Sequence, residues 1–147
     1  MDEVVEAEPW LQEIPPIGCR RHLDQEVFGR VAVLVDGRPQ IFPVNYAMDE
    51  EDIVFRTDPG TKLHAIDEVG SVAFEIDGVD LERETGWSVV VIGQAKWVTS
   101  PDQLERVRRL PLVPWAHGEK SNFVRIVPRT VTGRRIHPAG VRHGPKA

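Results

Sequence analysis

Short apolar runs rich in β-branched residues recur along this chain and are separated by turn residues, a pattern that is typical of β-strands. The predicted strands cover residues 29–35, 39–46, 53–57, 71–76, 86–98, 122–127 and 130–136. The longest run is apolar almost without a break before Gly93, which predicts a strand that bends at this glycine and is buried on both faces in its first half. The last two runs form either a strand pair or one strand interrupted at Pro128.

Turn signals separate the predicted strands. The Asp-Gly pair at 36–37 is a strong hairpin signal between the first two strands. A second Asp-Gly pair at 77–78 is expected to end the fourth strand, and the acidic residues 49–52 form the turn before the third. Pro43 lies inside the second strand. Because proline cannot donate a backbone hydrogen bond, this strand is predicted to be an edge strand or to contain a bulge.

Helix signals are fewer and shorter. Ser100 as the N-cap, with Pro101 at the first helical position, predicts a helix that runs through Leu110. Short helices are also predicted over residues 20–28 and 61–69. Six or seven strands with two or three short helices, linked mostly by tight turns, indicate a mainly β protein: an antiparallel barrel with helices in its crossovers.

The chain is expected to form one domain. Its 147 residues are enough to bury about two thirds of the surface of the unfolded chain. Residues 1–19 lack periodicity and contain three prolines, so they are predicted to be an N-terminal arm that is partly disordered or wraps around a neighbour. The domain itself is assigned to residues 20–138, and residues 139–147 to a polar C-terminal tail.

Composition and charge exclude several classes of protein. The single cysteine, Cys19, rules out an internal disulfide framework. An acidic N-terminus, and the lack of any apolar run near the roughly 18 residues of a membrane span, favour a cytoplasmic protein without membrane contact. The net charge of −5 argues against nucleic-acid binding. The five histidines are not at ligand spacing with cysteine or carboxylates, so no metal site is expected.

Residues 55–63, with the sequence FRTDPGTKL, combine a strand end, a turn and a helix start. Such a junction directs backbone N–H groups and the positive end of a helix dipole towards one small volume. Arg56 and Lys62 flank this volume. Thr57 and Thr61 add hydroxyl donors, so the segment is a candidate anion site. The alternative is an ordinary junction with solvated basic side chains, because no Gly-rich phosphate-binding fingerprint is present.

The order and spacing of these segments resemble the FMN-binding split-barrel proteins of the pyridoxamine 5′-phosphate oxidase type, in their small single-domain branch. The matching segments are residues 29–33, 43–46, 55–57, 60–63, 72–77, 86–95, 123–126 and 132–136. The resemblance implies a six- to seven-stranded antiparallel split β-barrel with two or three short helices. It also implies a homodimer with two flavin sites at the subunit interface.

The resemblance further implies which residues hold the FMN cofactor. The family's phosphate-binding residues match Arg56, Thr57, Thr61 and Lys62. The residues along its flavin ring match Pro43, Val44 and Asn45. The long strand approaches the cofactor with residues that match Trp87, Ser88 and Gln94. The first two of these would reach it across the dimer.

These expectations indicate an FMN-binding oxidoreductase that acts on a small molecule. Because a flavin carries out the hydride or electron transfer itself, no catalytic side chain is required and none is predicted. Three alternatives remain open: a reductase that uses a deazaflavin, a carrier or sensor that binds flavin or haem without turnover, and a barrel that has lost its ligand. Vitamin B6 oxidation is not expected. The longer C-terminal segment with which the family's oxidases proper grip the substrate phosphate has no counterpart in residues 137–147.

Overall fold

The computed structural model describes residues 11–58, 70–115 and 122–138. The elements are β1 (Leu11–Glu13), α1 (Pro16–Gln25), β2 (Phe28–Val35), β3 (Arg38–Asp49), β4 (Asp52–Thr57), β5 (Ser71–Asp80), β6 (Thr85–Trp97), α2 (Pro101–Arg108) and β7 (Asn122–Ile136). The helix predicted over residues 61–69 lies outside the described residues, as does the tail 139–147. No helix in the described part of the chain is long and apolar enough to cross a membrane.

All strand pairs are antiparallel, and the sheet closes on itself. The strand order is β1-β7-β4-β3-β2-β5-β6, with a further pairing between β7 and β6. Six strands therefore form a ring, and β1 adds to the far end of β7, where Leu11 pairs with Ile136. This is the mainly β antiparallel barrel, with seven strands in all, that the sequence predicted.

Alternation along the strands fills the barrel with apolar side chains. Tyr46, Phe55 and Phe74 are among its largest fully buried residues, and the Tyr46 and Phe74 rings meet edge to face at 4.9 Å. A second apolar cluster lies on the outer side of β3, β4 and β7, where Val107 of α2 and Leu112 cover the sheet. The helix thus protects one patch of the outer face from water and stabilises it by burial.

The first helix begins earlier than the sequence predicted. It spans Pro16–Gln25 rather than residues 20–28, and Phe28 already belongs to β2. Proline is favoured in the first turn of a helix, where the missing N–H costs nothing. Two of the prolines that indicated an arm therefore begin α1 instead, Pro15 as its N-cap and Pro16 as its first residue. Residues 11–19, assigned to the arm, form β1 and the start of this helix, and Cys19 is buried against the barrel.

Two other strand predictions need correction, and a third is decided between its alternatives. β5 continues through the pair at 77–78 to Asp80, and the Trp87 indole lies against Gly78, where a Cβ would be 2.6 Å from Nε1. The last two predicted runs form one strand, β7, whose pairing with β6 shifts register beside Pro128. The first half of β6 is not buried on both faces, since Ile92 is exposed in the single chain. The predicted irregularity at Gly93 is confirmed as a register shift against β7.

Candidate functional site

β3 and β4 separate at the place where the candidate residues lie. Their pairing runs from Asp49 and Asp52 to Tyr46 and Phe55, and it stops there. Beyond this point, residues 38–45 of β3 pair only with β2 among the described strands. β4 continues against β7 instead. The barrel is therefore split between β3 and β4, and the part of β3 that holds Pro43 is an edge, as predicted.

The three candidate residues of β3 occupy different environments. Pro43 is exposed on the outer face, and Val44 is buried in the barrel core. Asn45 is half-buried, and its side chain is already engaged: Nδ2 donates to the Val27 carbonyl at 3.4 Å, and Oδ1 accepts from the Trp115 backbone N–H at 2.8 Å. Asn45 therefore joins the segment after α2 to the start of β2.

Arg56 and Thr57 lie at the end of β4, on the other side of the opening. The Arg56 guanidinium carbon is 5.0 Å from the centre of the Phe123 ring, a cation–π contact that holds the side chain against β7. Thr57 is only 4% exposed, and its hydroxyl lies 3.5 Å from the Asp58 carbonyl oxygen. Thr61 and Lys62, the other predicted phosphate-binding residues, lie outside the described residues.

A cavity of about 250 Å³ opens beside Arg56, between β4, β7 and α2. The described residues that line it are two arginines and four apolar residues: Arg56, Arg108, Val107, Leu110, Leu112 and Phe123. No carboxylate is among the described residues that line it. This composition favours an anionic group over a cation.

An aromatic pair borders the same opening from the β2 side. The rings of Phe28 and Trp115 stack at 5.2 Å between centroids, with planes 8° apart. Trp115 is 64% exposed although it is held at its backbone by Asn45. An exposed aromatic surface therefore lies beside the free edge of β3.

The structure does not bring the three β6 candidates to this opening within one chain. Around the ring, β2 and β5 lie between β6 and β3 on one side, and β7 lies between β6 and β4 on the other. Ser88 pairs with Asp77 and with Arg134, and Gln94 lies six residues further along the strand, a distance of about 20 Å. Trp87 packs against the barrel core, and its ring stacks on His22 at 3.7 Å.

Two ion-pair networks lie on the outer face of the barrel. Arg30 bridges Glu75 and Asp77 with contacts of 2.8 and 3.0 Å. Burial, followed by the neighbouring Asp77 carboxyl, raises the pKa of Glu75 above its ordinary value. In the second network, Asp49 at the end of β3 accepts hydrogen bonds from Arg106 and Arg125 and is 5% exposed.

The Asp49 network lines a larger cavity of about 590 Å³ that also includes Lys96. Hydrogen bonds from Arg106 hold the pKa of Asp49 below its usual value, against the effect of burial. The arginines of this cavity are neutralised by carboxylates, so the network is a structural support of the β3–β4 turn.

The sequence of this chain matches a known protein family over most of its length. The sequence model described as pyridoxamine 5′-phosphate oxidase matches residues 18–135. This protein belongs to the pyridoxamine 5′-phosphate oxidase family. The resemblance inferred from the order of the segments is thereby confirmed.

Individual members of the family are similar over most of the chain. The uncharacterised Mycobacterium tuberculosis protein Rv0080 is 39% identical over 113 residues, which are 74% of each chain. A Corynebacterium glutamicum structure, provisionally named a pyridoxamine 5′-phosphate oxidase, is 33% identical with a TM-score of 0.76, covering 90% of this chain and 97% of its own. A Mycobacterium smegmatis FAD-binding protein is 34% identical with a TM-score of 0.74, covering 85% of this chain and 98% of its own.

Two residues at the site of this family member were missed from the sequence. Trp115 gave no signal, because its neighbours Phe28 and Asn45 are distant in the chain. Arg108 lies in a helix that the sequence predicted, but it was not named as a site residue. Arg108 lies four positions after Leu104, so both residues are on the same side of α2. Leu104 packs against the sheet, so the helical pattern already indicated that Arg108 lies near it.

Proposed function

We propose that this protein binds a flavin nucleotide at the opening between β3 and β4 and uses it to oxidise or reduce a small molecule. One observation carries the proposal: the two strands part at Tyr46 and Phe55, so that opposite Arg56 the edge of β3 has no partner among the described strands. The 34% identity to an FAD-binding protein of the same fold supports the choice of cofactor.

The phosphate end of a flavin nucleotide fits the β4 side of the opening. Arg56 is oriented by its contact with Phe123, and a guanidinium group suits phosphate because its N–H groups match the geometry of phosphate oxygens. Lys62 and Thr61, close in sequence, would complete the phosphate contacts. The adjoining cavity has no carboxylate among its described lining residues, so an anion would not be repelled there.

The ring end of the flavin fits the edge of β3. Residues 38–45 pair with β2 alone among the described strands, so one row of their backbone groups faces the opening. Pro43 offers an exposed apolar surface for a planar heterocycle, whereas the Val44 side chain is buried in the barrel core, so Val44 would contribute only its backbone. Asn45 keeps the Trp115 segment at the rim, and its role is therefore to shape the site rather than to meet the flavin with its own amide.

The bound flavin would supply the hydride or electron transfer. The residues of this chain would bind and orient it and exclude water from one of its faces. Trp87 and Ser88 lie too far along the barrel to reach the flavin of their own chain. We therefore propose a homodimer in which β6 of one subunit approaches the cofactor of the other.

The candidate functions differ in the cofactor that the protein binds. FMN was predicted from the resemblance, whereas the Mycobacterium smegmatis relative binds FAD. Two alternatives involve the same opening. The bound cofactor would be a deazaflavin in the first, and in the second the protein would bind flavin or haem as a carrier, without turnover. The test is to purify the protein, record its visible spectrum, and titrate the protein freed of ligand with riboflavin, FMN, FAD, a deazaflavin and haem.

We expect FMN or FAD to bind at least tenfold more tightly than riboflavin, because only the nucleotides carry a phosphate for Arg56. The Arg56→Ala variant should lose about 1.5–3 kcal/mol of nucleotide affinity, roughly 10- to 150-fold, and little riboflavin affinity. Arg38→Ala, at an exposed position of the β2–β3 hairpin, is the matched control. Equal affinity for riboflavin and both nucleotides, or no flavin binding at all, would refute the proposed site.

A further inference from the structure

α2 ends beside the phosphate side of the proposed flavin site. Its last turn contains Arg106 and Arg108, and Arg109 is the C-cap residue that follows, which makes three arginines in all. Two of them are neutralised on the surface: Arg106 pairs with Asp49 at 2.7 Å, and Arg109 pairs with Glu105 at 3.0 Å. The third, Arg108, makes no ion pair with any residue that the structure describes.

Arg108 instead lines the cavity of about 250 Å³ that Arg56 enters from β4. The Phe123 ring, also part of the lining, contacts the Arg56 guanidinium. A stacked guanidinium uses its face for the ring, while hydrogen bonds to an anion are made by the N–H groups on its edge. Two arginines from different elements thus line one small volume.

Two guanidinium groups that line one cavity from different elements can donate charge-assisted hydrogen bonds to the same anion. The volume also limits what can bind. Pockets that hold whole ligands measure about 300–1,000 Å³, so this smaller cavity would hold one end of a ligand. The larger cavity at Asp49 does not offer the same chemistry, because carboxylates line it together with the basic residues.

We propose that this cavity is a phosphate subsite and that Arg108 of α2 binds a phosphate group of the cofactor together with Arg56. The inference rests on the proposed flavin-binding function and adds a residue to it. The bound group is either the 5′-phosphate that FMN and FAD share or the second phosphate that only FAD carries. These two sources are separated by experiment.

The first experiment uses inorganic pyrophosphate and no flavin. Arg108→Gln removes the charge and keeps a polar side chain at this exposed position. Arg109→Gln is the matched control, because it removes the same charge from the next residue, which lines a different cavity. Pyrophosphate at millimolar concentration should raise the melting temperature of the unmutated protein and of Arg109→Gln, and the rise should be lost in Arg108→Gln.

The second experiment measures the affinity of the same three proteins for riboflavin, FMN and FAD. A tenfold or greater loss for both nucleotides, with riboflavin unchanged, assigns the 5′-phosphate to the subsite. A comparable loss for FAD alone assigns the second phosphate. Unchanged nucleotide binding in Arg108→Gln, or equal losses in Arg108→Gln and Arg109→Gln, would overturn the subsite.

The two experiments distinguish this inference from the proposed function. If flavins bind but Arg108→Gln binds them normally, the function stands and the subsite is wrong. If no flavin binds, the function is wrong, and the pyrophosphate experiment alone then decides whether the cavity recognises phosphate. Melting temperatures without ligand show whether either variant is simply less stable.

Discussion

Asp49 is the residue whose replacement should most clearly perturb the barrel without entering the proposed site. It ends β3, and its carboxylate accepts hydrogen bonds from Arg106 at 2.7 Å and from Arg125 at 2.8 Å. Arg125 is only 12% exposed and also pairs with Asp52 at 2.9 Å. Asp49→Asn would keep the size of the side chain and remove its charge.

The expected loss of stability in Asp49→Asn follows from the burial of this ion pair. Breaking a buried ion pair by removing one partner costs about 3–5 kcal/mol, because the other charge is left in a poor environment. Arg125 would keep Asp52 as a partner, so we expect a smaller loss than this, about 2–3 kcal/mol. For a domain of this size, the melting temperature should fall by about 5–10 °C. Glu50→Gln is the matched control, because Glu50 is 81% exposed, and pairs at such positions contribute about 0–1 kcal/mol.

The cost should depend on pH in a defined direction. The hydrogen bonds from Arg106 and Arg125 lower the pKa of Asp49 in the folded state. Its contribution is therefore fully present above the unfolded carboxyl pKa of about 3.9 and is lost as the pH falls through the lower folded value. Urea unfolding at several pH values checks this. A difference between the two proteins below about 0.5 kcal/mol at pH 7, or one that grows below pH 4, would refute the reasoning.

Two further substitutions test the packing of the barrel. Gly93→Ala should destabilise it by at least about 2 kcal/mol, because the new Cβ would overlap the backbone carbonyl of Val127. Gly86→Ala in the same strand, where the new Cβ would lie 3.5 Å from the Gly78 carbonyl oxygen, should cost less than about 1 kcal/mol. Tyr46→Phe removes the 2.7 Å bond from its hydroxyl to the buried Leu23 carbonyl and should cost about 1–2 kcal/mol. Similar stabilities for both glycine variants, or an unchanged Tyr46→Phe protein, would contradict these contacts.

The local signals in the sequence were sufficient wherever one segment determines its own conformation. The Ser100 hydroxyl accepts the Gln103 backbone N–H at 3.3 Å, as its cap position predicted. Pro43 marked the part of β3 that pairs on one side only. The prediction failed at Gly78, which reads as a turn residue but lies within β5, because the Trp87 indole from the next strand occupies the space of a side chain.

In the candidate site, too, local sequence signals predicted some features and tertiary contacts decided others. Arg56 was predicted from the strand end and the turn that follows it, and the structure places it at the opening between β3 and β4. The predicted contact of Asn45 with the flavin ring remains a prediction. Its amide groups are used by Val27 and Trp115, a pairing across 70 residues that no local pattern indicates.

The sequence by itself determined the strand-rich pattern, the family and the basic character of the β4 end, because these depend on residues close together in the chain. Only the tertiary structure decided where β3 and β4 part, and that Arg108 lines the same cavity as Arg56. The physical reason is that these features depend on residues distant in the chain: β4 pairs with β7, where Thr57 faces Asn122, and the docking of α2 brings Arg108 to the cavity of Arg56. Register and packing, rather than composition, therefore determine which charges share a volume.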